Sequence, residues 1–223
     1  MTGDIAGRLQ AVRASLPHDV TLVAVSKYHP TASIAEAYRC GQRIFGESRE
    51  QELSRKAATL PPDIEWHFIG HLQTNKVRLI APYIAMIETV DSLRLLREVE
   101  RQGERFRRTI RVLLELHIAE EDTKTGLTID ECKALLDDGE WRTMSHVSIC
   151  GIMMMASNTD DTARIEREFR LAADTFQALK NTYFAHDDAF AVRSWGMSGD
   201  YPIAVRCQAT HVRIGTAIFG ERQ

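Results

Sequence analysis

Short apolar runs alternate with polar segments of helical periodicity along almost the whole chain. The runs are rich in Val, Ile, Leu and Phe, as is typical of strands. Eight of them are predicted as strands: Thr21–Lys27, Ile44–Glu47, Glu65–Gly70, Met86–Val90, Arg111–Ile118, His146–Met155, Ala191–Met197 and His211–Gly215. The intervening helices are predicted at Ser33–Cys40, Glu50–Ala58, Thr74–Ile80, Ser92–Arg105, Asp130–Asp137 and Thr162–Asn181.

Strands that alternate with helices indicate a parallel sheet. Several runs are apolar at nearly every position, as expected for strands that are buried on both faces. Eight such units without a long linker predict a single α/β domain over residues 1–223, a closed (β/α)8 barrel of the TIM type. An open doubly wound sheet and, from length alone, two small domains are the alternatives.

Two further segments complete this prediction. Asp4–Ser15 is an amphipathic helix expected to pack outside the barrel, ahead of strand one. Asp200–Gln208 is short and contains Pro202, so its helix is expected to be brief.

Charge excludes one class of function. The chain has 223 residues, a formal net charge of -3 and a pI near 6.2. A nucleic-acid-binding protein would usually present a basic face. The one basic cluster is offset by neighbouring glutamates and is interpreted as a solvated helix end. It comprises Arg101, Arg105, Arg107, Arg108 and Arg111, with Glu98, Glu100 and Glu104 beside them.

The cysteine pattern and the hydropathy of the chain indicate its subcellular location. Cys40, Cys132, Cys150 and Cys207 are widely spaced and form no C-x-x-C pair, which favours neither a disulfide framework nor structural zinc. The amino-terminal residues lack the apolar core of a signal peptide. No apolar run approaches the roughly 20 residues that a membrane span requires. We therefore expect a cytoplasmic protein, and a monomer.

Strand one ends in Val25-Ser26-Lys27. Active sites of closed parallel barrels form at the carboxyl ends of the strands, so Lys27 is expected at the barrel mouth. Desolvation disfavours an ammonium ion there, and a neutral lysine amine attacks carbonyl groups to form Schiff bases. Position alone leaves two interpretations of Lys27, such an amine or the exposed end of a strand.

The loops after strands seven and eight suggest a phosphate site. Their sequences are Gly196-Met197-Ser198-Gly199-Asp200 and Arg213-Ile214-Gly215-Thr216. Loops at these positions of a barrel often bind phosphate through backbone N–H groups, and here two hydroxyl groups are added. Each loop alone is equally consistent with a capped glycine turn. Combined with an amine on strand one, they predict a site for a phosphorylated carbonyl compound.

Arg213 lies on strand eight and allows two interpretations. An arginine beside a pyridine nitrogen cannot accept a proton, which leaves the ring unprotonated and a weaker electron sink. Alternatively, Arg213 closes the end of the barrel by pairing with a carboxylate such as Glu47.

These strings together carry a family resemblance. LVAVSKYHP, GQRIFGES, WHFIGHLQTNK, SWGMS and VRIGTAIFGER occur in this order from Leu22 to Arg222. The chain resembles the pyridoxal 5′-phosphate (PLP) homeostasis protein family (the YggS/PROSC type). HFIGHLQTNK and RIGTAIFG are highly specific strings, and the resemblance covers nearly the whole chain.

The resemblance implies a fold, a cofactor and a site. Members of this family resemble the N-terminal domain of alanine racemase, bind PLP on the strand-one lysine, lack demonstrated turnover, and buffer or deliver PLP. The resemblance implies that Lys27 holds PLP as a Schiff base. It also implies that Ser198, Gly215 and Thr216 bind the phosphate and that Arg213 faces the ring nitrogen.

Three positions depart from the common family pattern. Ser48 stands where many members have asparagine in a G-E-N string, His117 where asparagine often ends strand five, and Trp195 where methionine often precedes G-M-S. We expect Ser48 and His117 near the barrel mouth. Contacts to the ring substituents are therefore less well defined by the resemblance than contacts to the phosphate.

Competing functions are a PLP-binding homeostasis protein, a PLP enzyme such as an amino-acid racemase, and a cofactor-free Schiff-base aldolase. Racemisation by two bases needs a second acid or base on the opposite face of the substrate. In alanine racemase a carboxyl-terminal domain of the partner subunit supplies it, and this chain ends at Gln223. Binding is therefore favoured over turnover, with PLP-accepting apo-enzymes as the expected partners.

Other candidate groups are weaker. His67 and His71 lie four residues apart but flank a strand end without an H-E-x-x-H string, so no metal site is expected. His117 could be an acid or base, although a hydrogen-bonded strand histidine is the commoner situation. Lys76 and Lys124 are candidate second amines that are better explained as surface residues. Met153, Met154 and Met155 are expected to fill the core, with one or two facing the cofactor.

Overall fold

The computed structural model describes residues 4–118 and 125–221. Within them, eight parallel strands pair in chain order and close into a barrel through β1 and β8, as the alternating pattern predicted. The open-sheet alternative is therefore wrong. The strands are β1 Thr21–Val25, β2 Ile44–Glu47, β3 Glu65–Phe68, β4 Ile84–Val90, β5 Ile110–Leu116, β6 Val147–Met154, β7 Val192–Ser194 and β8 His211–Ile214.

Helices lie between the strands and surround the barrel. Side-chain caps define where several of them begin: Ser92 accepts a hydrogen bond from Leu95 N–H, and Thr128 and Glu131 form a capping box. The described α-helices are α1 Ile5–Ala14, α2 Thr31–Arg39, α3 Glu50–Ala57, α4 Val77–Ile80, α5 Leu93–Phe106, α6 Ile129–Asp138, α7 Thr162–Tyr183, α8 Tyr201–Arg206 and α9 Thr216–Phe219. Two 3-10 helices cover Thr74–Lys76 and Glu140–Thr143.

Some element boundaries differ from the prediction, and one of them changes where Lys27 lies at the barrel mouth. β1 ends at Val25, so Lys27 lies in the turn after the strand and not at its last position. The helix predicted from Ser33 begins at Thr31, directly after Pro30, since proline is well suited to a helix start. The helix after β7, α8, is brief, as expected, at six residues.

The main core lies between the outer face of the barrel and the helices. A smaller cluster fills the barrel interior and contains Met86, Leu113, Cys150 and Met153. α1 packs against α2 and α9 outside the barrel, burying Ile5, Leu9 and Val12, in agreement with the predicted outer helix.

One glycine is required by close strand packing. Gly151 of β6 has φ 152°, and a Cβ placed there would lie 1.8 Å from the carbonyl oxygen of Val192 in β7. A side chain at this position would separate β6 from β7. The irregular register of β5 and β6 between Val112 and Leu113 lies next to this contact.

Within the described residues the four cysteines are free, and no helix has both the length and the apolar character needed to cross a membrane.

Candidate functional site

Three neighbouring strands, β7, β8 and β1, bring the predicted site residues to one end of the barrel. Lys27 follows β1, and Ser198 follows β7. Gly215 and Thr216 follow β8, and a Cβ on Gly215 would lie 3.1 Å from the carbonyl oxygen of Val25. The loop after β8 therefore touches the strand that carries Lys27. Lys27 and the two glycine-containing loops thus follow neighbouring strands at the same end of the barrel.

The β8–α9 loop presents unused backbone donors. α9 begins at Thr216, and the first N–H groups of a helix have no intrahelical acceptor. Gly215 O accepts hydrogen bonds from the N–H groups of Ile218 and Phe219, which closes the turn behind Thr216. Thr216 itself is exposed. Its N–H and hydroxyl groups are accessible to a ligand at the mouth.

The β7–α8 loop faces the same opening. Met197 N–H donates to Asp200 Oδ1 at 2.5 Å, and Asp200 N–H donates to Met197 O at 3.1 Å, so the turn is closed on itself. Ser198 is half-buried, and a Cβ on Gly199 would meet no atom within 4 Å. The backbone at Gly199 therefore borders open space, next in sequence to Ser198.

Arg213 is buried beneath the mouth, with 4% of its surface exposed. Its Nη1 donates to Ser194 O at 2.8 Å and Ser194 Oγ at 2.7 Å, while Nη2 donates to Met154 O at 2.8 Å. Among the described residues its hydrogen bonds to protein use only these two nitrogens. The Nε–H is therefore not used in a hydrogen bond to the described part of the protein.

The carboxylate beside Arg213 is Glu88, not Glu47. Glu88 Oε2 lies 3.6 Å from Arg213 Nη1, whereas Glu47 points to the helix layer and pairs with Lys56. The sequence-based suggestion of Glu47 as the partner of Arg213 is wrong, because the end of β2 turns that side chain away from the barrel interior.

Glu88 is the centre of a buried polar network. It accepts hydrogen bonds from His67 Nδ1 at 2.6 Å and Ser194 Oγ at 2.6 Å. Burial would raise the pKa of Glu88, but His67, Arg213 and Ser194 outweigh burial and hold the pKa at about 2. Glu88 is therefore ionised, and its charge fixes the orientation of Arg213.

Histidines extend this network into the barrel. The rings of His67 and His211 stack with centroids 6.3 Å apart, and burial lowers the pKa of His211 to about 4. A neutral His211 adds no positive charge below Arg213 at neutral pH. His71, by contrast, is mostly exposed and lies 3.6 Å from Asp91. Among the described residues no cluster of three metal-ligating side chains is present.

Glu115 is a second buried carboxyl group inside the barrel. It pairs in register with Met153 on the face that carries Leu113. Thr125 Oγ1 donates to Glu115 Oε1 at 3.0 Å, and Oε2 has no hydrogen-bond partner among the described residues. Burial raises the pKa of Glu115. Sequence reasoning missed Glu88 and Glu115, although a charged residue within an apolar strand was the available signal.

The departures from the family pattern lie in different layers. Ser48 packs against Gly70, where a Cβ would lie 2.3 Å from Ser48 O, and His117 N–H donates to Leu127 O at 2.8 Å. Trp195 is fully buried in the outer core and donates to Cys207 O at 3.3 Å, so it does not line the mouth. Met153 faces the barrel interior, whereas Met154 packs in the outer core.

The alternative amines lie elsewhere. Lys76 ends a 3-10 helix, and its Nζ lies 3.5 Å from Glu50 Oε1 on α3. Lys124 lies outside the described residues.

The closed parallel barrel is a fold that this chain shares with a known protein family. The sequence model for that family, "Alanine racemase, N-terminal domain", matches residues 2–223. Alanine racemase of Clostridium difficile superposes with a TM-score of 0.75 at 15% identity, covering 98% of this chain and 60% of that one. At this identity the likeness shows the fold alone.

Proteins with higher sequence identity to this chain define its family more closely. The pyridoxal phosphate homeostasis protein of Haemophilus influenzae is 35% identical over 206 residues, covering 91% of this chain and 85% of the relative. PipY of Synechococcus elongatus superposes with a TM-score of 0.91 in its structure without PLP, at 36% identity, covering 97% of this chain and 100% of PipY. Its structure with PLP bound superposes with a TM-score of 0.88. The chain belongs to the pyridoxal phosphate homeostasis protein family.

Proposed function

We propose that this protein binds PLP at the barrel mouth, with Lys27 holding the cofactor as a Schiff base, and acts in intracellular PLP homeostasis. The observation that carries the proposal is the convergence of Lys27, the two phosphate loops and Arg213 at the ends of β7, β8 and β1. The structure of PipY with PLP bound, a protein 35% identical to this chain, supports it.

The residues fit the chemical groups of PLP one by one. Ser198, Gly215 and Thr216 provide hydroxyl and backbone N–H donors for a phosphate. Arg213 provides an Nε–H for the pyridine nitrogen, and arginine donates without accepting a proton. Lys27 provides the amine for the aldehyde. In its neutral form Lys27 Nζ adds to the aldehyde carbon and one water leaves, so the covalent attachment needs no other reactant and is reversible.

A homeostasis role follows from reversible attachment at an accessible site. Thr216 is exposed and Ser198 half-buried, so the phosphate would lie near solvent, where it can enter and leave. The names of the relatives support the same role. We further infer a single-domain cytoplasmic monomer that passes PLP to apo-enzymes. A racemase activity has no support beyond a fold shared at low identity.

The visible spectrum before and after borohydride tests the proposal. Wild type loaded with PLP should stay yellow after unbound PLP is removed, and reduction followed by peptide mass mapping should place the adduct on Lys27. A cofactor-free aldolase would be colourless, which separates that alternative.

Lys27→Ala is the decisive variant. It should lose the visible band and the reducible adduct while retaining weaker, non-covalent PLP binding, because the phosphate loops and Arg213 remain. Cofactor-dependent stabilisation should shrink with the lost affinity. Lys76→Ala is the matched control and should behave as wild type. A retained band with the adduct on Lys76 or Lys124 would refute the assignment of Lys27.

A further inference from the structure

A buried ionic cluster lies directly behind the turn that carries Lys27. We call Glu47, Glu52 and Lys56 the rear clamp. The Lys56 side chain is fully buried, and its Nζ lies 2.7 Å from Glu47 Oε1 and 2.7 Å from Glu52 Oε1. Nζ also donates to the carbonyl oxygen of Ser26 at 2.9 Å. These three acceptors occupy the three protons of the ammonium group.

The rear clamp contacts the chain on both sides of Lys27. On one side, Ser26 Oγ donates to Glu47 Oε1 at 2.5 Å, in addition to the bond between Lys56 and Ser26 O. On the other side, Tyr28 N–H donates to Glu52 Oε1 at 2.8 Å. The backbone before and after Lys27 is therefore bonded to one rigid group of side chains on β2 and α3.

The turn has a conformation that needs such support. Tyr28 has φ 69°, in the left-handed region that is unfavourable for a residue with a bulky side chain. The bond from its N–H to Glu52 holds the peptide between Lys27 and Tyr28 in the orientation this conformation requires. Ser26 N–H donates to Gly46 O, which anchors the beginning of the turn to β2.

Stability alone does not account for the rear clamp. Burying ions is costly, and well-packed apolar side chains of similar volume are often as stable as a buried ion pair. Glu47 Oε2 has no hydrogen-bond partner among the described residues, and burial raises the pKa of Glu47. Directional bonds to Ser26 and Tyr28 are what the charged groups provide and apolar groups could not.

We propose that Lys56 is a positioning residue: through Glu47 and Glu52 it fixes residues 26–28, so that the Lys27 amine is held at the aldehyde of PLP. This inference rests on the proposed function of Lys27. Lys56 is not itself a candidate amine for PLP, because its Nζ lies behind the strand and is bonded to three acceptors.

Two sets of variants separate positioning from folding. In the double variant Lys56→Met with Glu47→Gln, the fully buried cation and the fully buried carboxylate are removed together. Glu52, which is partly exposed, keeps the hydrogen bond from Tyr28 N–H, and Ser26 Oγ keeps an acceptor. Glu52→Ala removes only the acceptor of Tyr28 N–H, whereas Glu52→Gln retains an acceptor oxygen and should restore wild-type behaviour. Lys133→Met, an exposed position on α6, is the control.

The first measurement needs no cofactor. Amide hydrogen exchange at Tyr28 and His29 should be at least about tenfold faster in the double variant and in Glu52→Ala than in wild type. The second is the rate of Schiff-base formation with added PLP, trapped by borohydride and mapped by mass. A small misplacement of a reacting group costs up to about 10²-fold in rate, so we expect the rate at Lys27 to fall roughly ten- to one-hundred-fold.

The outcomes are distinct. Folded variants that form the Lys27 adduct at the wild-type rate would overturn the positioning role and leave the proposed function standing. Failure of wild type itself to form an adduct on Lys27 would overturn the proposed function. Unchanged exchange at Tyr28 would overturn the rear clamp in either case. Slower adduct formation with rescue by Glu52→Gln supports it.

Discussion

Glu88→Gln is expected to destabilise the barrel by about 3 kcal/mol at pH 7. The pKa of Glu88 is about 2 against an ordinary 4.5, because hydrogen bonds and charges from His67, Arg213 and Ser194 outweigh burial. A difference of this size corresponds to about 3 kcal/mol of stability from the ionised group. Breaking a buried ion pair costs about 3–5 kcal/mol on independent grounds. The two estimates overlap.

The pH dependence of this loss has a definite sign. Because the pKa of Glu88 is lower in the folded state, its contribution is fully present above about pH 4.5 and is lost as the pH falls towards 2. At pH 3 only about 1 kcal/mol of it should remain. The difference between wild type and variant should therefore shrink by more than half between pH 7 and pH 3.

Urea unfolding followed by the fluorescence of the buried Trp66 and Trp195 measures both values. Glu140→Gln is the control, since it removes a carboxylate from an exposed pair with Arg97 and should change stability little. Equal unfolding free energies of Glu88→Gln and wild type at pH 7 would refute the reasoning. A difference that stays constant down to pH 3 would show that the ionised state of Glu88 is not its source.

Three further predictions follow from the same geometry. Ser198→Ala and Thr216→Val should each weaken PLP binding roughly tenfold or more, because a hydrogen bond to a charged group contributes about 1.5–3 kcal/mol. The visible band should persist at high PLP concentration. Binding isotherms unchanged from wild type would reject the phosphate assignment. Glu115→Gln should unfold at a higher urea concentration than wild type at pH 7. Burial raises the pKa of Glu115, so its ionisation opposes folding as the pH rises. A variant less stable than wild type would contradict this. The chain should unfold in one cooperative transition as a single domain, and two separated transitions by calorimetry would exclude that.

The barrel could be predicted because its signal is local and repeated. Most strands coincide with an apolar run and the longer helices with a helical periodicity, whereas the four-residue helix α9 was not predicted. Lys27 and the two loops were found for a similar reason: each lies at the carboxyl end of a strand, where barrel sites form. The position of β1 was less exact, since a strand end depends on its neighbours, and pairing with β2 and β8 ends at Val25 and Ala24.

The buried partners of these residues depend on barrel closure and could not be read from the chain. Glu88 lies 106 residues from Ser194, and only the closed barrel brings β4 and β7 to opposite sides of one small interior. The sequence does not show which strands face each other across the barrel, and Glu47 was therefore wrongly suggested as the partner of Arg213. Its strand has four residues, too few for alternation to reveal which side chains face the helices.

The charge distribution around Lys27 explains how one site could hold PLP and release it. Inside the barrel, Arg213 is balanced by Glu88, and behind the turn Lys56 is surrounded by Glu47 and Glu52, so neither cluster offers a free cation to the phosphate. In the proposed site, the phosphate would then be bound by uncharged donors at the rim, Ser198 and Thr216 with the adjacent backbone. Hydrogen bonds from uncharged donors beside solvent are individually weaker than bonds from a charged donor in a closed pocket. The covalent bond to Lys27 would supply the retention that the phosphate contacts lack, and its reversal would set the rate of release.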